Sequence, residues 1–62
     1  MSVQSELGSM SSTITALLDR VAEVLSELPG GEDHEMAPAL HDVERSLRTA
    51  GRRIERSLRD SS

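Results

Sequence analysis

Val3, Leu7, Met10, Ile14, Leu17, Val21, Val24 and Leu28 follow one another at steps of 4, 3, 4, 3, 4, 3 and 4. A strand alternates with period two and a loop has no period. The spacing therefore predicts one long amphipathic helix that lies against another helix. In heptad terms, Leu7, Ile14, Val21 and Leu28 occupy a, and Val3, Met10, Leu17 and Val24 occupy d. Leu18 and Leu25 add apolar e positions, making the stripe wider than a two-helix seam requires. A stripe of that width marks the core-facing side of a three- or four-helix bundle.

A second stripe, Met36, Leu40, Val43, Leu47, Ala50 and Ile54, steps 4, 3, 4, 3 and 4, with Leu58 four residues further on. Between the stripes, Pro29-Gly30-Gly31 stops the first helix, because proline cannot continue the ladder and glycine suits a left-handed cap. Pro38 suits the opening turn of the second helix, and Glu32, Asp33 and Glu35 lie ahead of it at the positive end of its dipole. Arg52, Arg53, Arg56 and Arg59 fall at the negative end. The expected fold is all-α: a single domain, 1–62, forming an antiparallel two-helix hairpin with helices over about 2–28 and 38–60 and a turn over 29–37. The start of the first helix is weak, since Gly8, Ser9, Ser11, Ser12 and Thr13 have poor helix propensity. Folding back about the turn pairs Val24 and Leu25 with Leu40 and Val43, and Val21 with Val43 and Leu47. Leu17 and Leu18 then meet Leu47 and Ala50, and Met10 and Ile14 meet Ile54.

A chain of 62 residues buries only about 60% of the surface its unfolded form exposes and needs help from a crosslink, a metal or a partner. There is no cysteine, which removes disulfides and thiolate metal sites together. Association remains, and a second copy is the simplest partner. The hairpin is accordingly expected to dimerise into a four-helix bundle, or to dock on another protein. Leu7, Met10, Ile14, Leu17, Leu18, Val21, Leu25, Leu47, Ala50, Gly51, Ile54 and Leu58 would form the interface. A glycine inside a helix costs about 1 kcal/mol relative to alanine. Ala50-Gly51 therefore reads as a notch that lets a neighbouring helix approach, with Leu17 or Leu18 filling it.

Charge divides along the chain: residues 1–28 carry −3, residues 29–35 another −3, and residues 36–62 carry +2. Arg45, Arg48, Arg52, Arg56 and Arg59 line one outer face of the second helix, a candidate surface for an acidic protein or for nucleic acid. Glu44 before Arg48, Glu55 before Arg59 and Asp60 after Arg56 supply partners four residues away. The chain has no Phe, Tyr or Trp to stack bases and is net acidic, at −4, which argues against nucleic acid. All seven basic residues are Arg, with no Lys and no Asn, a composition that suits a high-GC bacterial or phage genome.

Glu23, Glu27, His41 and Glu44 come near one another at the turn, but none holds a core position as the ligands of di-iron bundles do, so no metal or other cofactor is expected. His34 and His41 read as exposed, with no identifiable partner. No nucleophile–base constellation or phosphate loop occurs, and a hairpin offers no water-excluding pocket, so no catalysis is expected. The N-terminal stretch has neither the charge nor the apolar core of a signal peptide, and no run reaches the ~20 apolar residues of a membrane span. These features together read as a small cytoplasmic interaction module.

Overall fold

The computed structural model describes residues 2–60. Helix α1 (Val3–Glu27) and helix α2 (Ala37–Asp60) are joined through a 3-10 turn (Gly31–Asp33) and pack along their lengths as an antiparallel hairpin. The rod measures 45 × 15 × 13 Å. No strand occurs among the described residues. Met1, Ser61 and Ser62, the ends of the expected domain, lie outside them.

The helix ends follow from local chemistry. Ser2 caps α1: its hydroxyl accepts from the Ser5 N–H at 3.3 Å, and its carbonyl accepts from Glu6 N–H at 3.0 Å. The weak first turns are helical despite their composition. Thr13 and Thr15 turn their hydroxyls inward on the carbonyls of Ser9 and Ser11, both at 3.1 Å, so these side chains do not compete for the backbone N–H groups. At the other end Leu28 is extended (φ −63, ψ 130), as a residue before proline must be when the pyrrolidine ring closes off its helical region. Proline, not glycine, thus ends α1. Gly30 (φ 78) and Gly31 (φ 59) come after the stop and make the left-handed turn that reverses the chain. Leu40 N–H bonds the Met36 carbonyl at 3.1 Å, which starts α2 at Ala37, one residue before the expected Pro38.

The seam differs from the expected one. In α1 and its C-cap the half-buried residues include Leu7, Ser11, Ile14, Leu18, Val21, Leu25 and Leu28, the a and e rows, with Gly8 beside them at b. In α2 they include Leu40, Glu44, Leu47, Gly51, Ile54 and Leu58, again a and e, with Ala37 buried outright at 1% exposure. The d rows point outward: Val3, Met10, Leu17, Val24, Met36 and Val43 are 38–68% exposed. Met10, Leu17 and Val43 therefore do not make the contacts inside the hairpin that an a/d seam would give them. The e row of α2 enters the seam through Ala37, Gly51 and Leu58, while its one acid, Glu44, sends its carboxylate out to His41 and Arg48.

Candidate interaction surface

Heptad geometry on antiparallel helices decides where the two d rows lie. When both helices present a and e to each other, their b rows emerge on one side of the hairpin and their d rows on the other. The b side is visible as a groove lined by Ser11, Thr15 and Leu18 of α1 and by Arg48, Gly51 and Glu55 of α2. The d side carries an open groove formed by Leu17, Val21 and Val24 of α1 and Leu40 of α2, with Arg20 at its edge. Val3 and Met10 extend this face toward the chain termini, and Val43 and Met36 widen it toward the turn. The result is one apolar face on one side of the rod and a polar groove on the other.

Of the residues expected at a partner interface, Leu7, Ile14, Leu18, Val21, Leu25, Leu47, Gly51, Ile54 and Leu58 are half-buried within the hairpin, with Ala50 at its edge. Met10 and Leu17 are outward. Val3, Val24, Met36 and Val43 belong to the same outward face. Their d spacing was readable in the sequence, but an a/d seam would have consumed it. Gly51 lies on the seam opposite Ile14, not Leu17 or Leu18. A Cβ at this position would stand 3.6 Å from Ile14 Cγ2, an ordinary contact, so the helix approach does not require glycine.

The turn end holds a polar cluster the sequence did not reveal. His41 Nε2 meets Glu32 Oε2 at 2.7 Å and Nδ1 meets Glu44 Oε1 at 3.2 Å, so the imidazole joins the turn to the first turns of α2. Hydrogen bonds to Glu32 and then Glu44 raise the His41 pKa above its ordinary value. His41 and His34 are both half-buried, and each has a partner: the Met36 N–H donates to His34 Nδ1 at 3.0 Å. Glu44, with only 14% of its side chain exposed, also receives Arg48 at 3.6 Å. No group of three or more His, Cys, Asp or Glu among the described residues is placed to hold a metal ion.

Along the outer face of α2, Arg45, Arg48 and Arg52 line a shallow depression with His41 and Glu44. Arg45 reaches Asp42 at 3.5 Å and Arg52 donates to the Thr49 hydroxyl at 3.3 Å. Arg56 and Arg59 continue the row toward the C-terminus. Much of the positive charge nearest the turn is thus spent within the helix, as the expected pairing of Glu44 with Arg48 implied. No helix among the described residues is long and apolar enough to cross a membrane. No family model matches the chain, and neither a curated protein nor a solved structure matches it.

Proposed function

We propose that this chain is a small self-associating helical interaction module, a scaffold, adaptor or regulatory subunit without catalysis of its own, working in the cytoplasm. Two hairpins stacked on their d faces would form a four-helix bundle, and the same face is the surface available to another protein. The observation that carries this reading is the apolar d face on a hairpin in which Ala37 is the one buried hydrophobic residue among those described. Half-buried a and e rows leave much of the hydrophobic contribution to stability unrealised, and covering the d rows is the direct way to recover it.

The test is thermal unfolding by circular dichroism at several protein concentrations, with the mass measured by sedimentation equilibrium. An associating chain gives a midpoint that rises with concentration and a mass above that of the monomer. A monomer whose midpoint does not move with concentration refutes the reading.

A further inference from the structure

Resting on the self-association just described, we propose that the occupant of the d face is a second copy lying with its turn at the opposite end, α1 on α1 and α2 on α2. Charge is the main argument. In the half of the rod nearest the turn, residues 16–48, eight acids stand against three arginines, a balance of −5. The open half, residues 2–15 and 49–60, has three acids against four arginines, a balance of +1. Two copies with their turns together would lay one −5 half on another. With turns apart, each acidic half lies on the basic half of its mate.

In α1 the opposed arrangement sets d residues of similar size on one another. In that register Val3 of one α1 lies over Val24 of the second copy, and Met10 over Leu17. Glu6 and Arg20, both at g, then flank the layers across the interface and face each other twice by symmetry. With the turns together, Glu6 would instead face Asp60 of the second copy.

The area available is of the right size. The chain exposes 4686 Å², against roughly 4,000 Å² for a compact monomer of its mass. The excess of roughly 700 Å² is close to the ~800 Å² that each partner contributes to a standard interface.

The chain has no cysteine, so single-cysteine variants report unambiguously. Val3→Cys and Val24→Cys are mixed, equilibrated and mildly oxidised. The opposed arrangement yields the mixed disulfide in preference to a Val24→Cys homodimer, because the two copies of position 24 then stand ~30 Å apart along the axis. Preferential self-linking of Val24→Cys overturns the orientation while leaving self-association intact. A monomer by sedimentation of the unaltered chain refutes both. A charge swap gives an independent readout: Glu6→Arg alone and Arg20→Glu alone should each weaken dimerisation about three- to tenfold, and the double variant should restore it to within about twofold. Glu6 and Arg20 are four turns apart on one helix, so rescue can come only from a second chain. Additive losses in the double variant overturn the proposed register.

Discussion

Gly51→Ala should stabilise the protein, and the size of the gain can be worked out from the geometry. Gly51 lies in the interior of α2, where replacing glycine with alanine recovers about 0.8–1.0 kcal/mol of helix propensity. The new methyl would rest 3.6 Å from Ile14 Cγ2 and meets nothing closer, so no overlap subtracts from that gain. Because the position is half-buried, the methyl adds about half the ~0.8 kcal/mol of a fully buried methylene. The total is about 1.3 kcal/mol, which for a domain of this size raises the midpoint by about 5–10 °C. Thermal unfolding at one fixed protein concentration measures it. Gly8→Ala is the internal control, since a Cβ there meets nothing within 4 Å and reports propensity alone. A Gly51→Ala variant no more stable than wild type, beside a stabilised Gly8→Ala, would show that the helices approach more closely at Ile14 than described and that the glycine is a steric necessity.

Two further outcomes are expected. The His41 pKa is raised in the folded state, so the contribution of its bonds to Glu32 and Glu44 is complete below the unfolded-state value and is lost as pH rises through the folded one. Midpoints of wild type minus His41→Gln, measured across pH 5 to 9, should therefore shrink upward from the region of the ordinary histidine value of 6.5; a difference that grows with pH would contradict the assignment. For the Arg face, Arg52→Gln/Arg56→Gln should leave helicity unchanged, and the wild type should not shift duplex DNA at micromolar concentration and moderate salt. Tight DNA binding that weakens steeply with salt and disappears in the double variant would make the Arg row a nucleic-acid surface.

The hairpin was legible in the sequence because its signals are local: a 3-4 apolar spacing on each side of Pro29-Gly30-Gly31 leaves few alternatives. The facing rows were not. In α1 the a row has apolar neighbours on both flanks, Val3, Met10, Leu17 and Val24 at d and Leu18 and Leu25 at e, so hydrophobicity cannot say which flank turns inward. Nor does α2 decide it: its e row holds two small residues, Ala37 and Gly51, its d row two more, Ala50 and Ser57, and Glu44 looks out of place on a seam. Reading Glu44 as an acid served by His41 and Arg48 would have resolved the objection. The link between His41 and Glu32 was out of reach for another reason. It spans nine residues and depends on the 3-10 turn at Gly31–Asp33, whose path rests on two left-handed glycines that sequence spacing does not encode.

The division of labour among heptad rows bears on how such a chain can change over generations. The a and e rows hold α1 to α2, while the d rows contribute little to that contact. Exchanges among Val, Met, Leu and Ala at positions 3, 10, 17, 24, 36 and 43 would remodel the outward face and leave the seam untouched. A duplicated gene could in this way acquire a copy that no longer mixes with its parent through a few d and g substitutions, without passing through an unfolded intermediate.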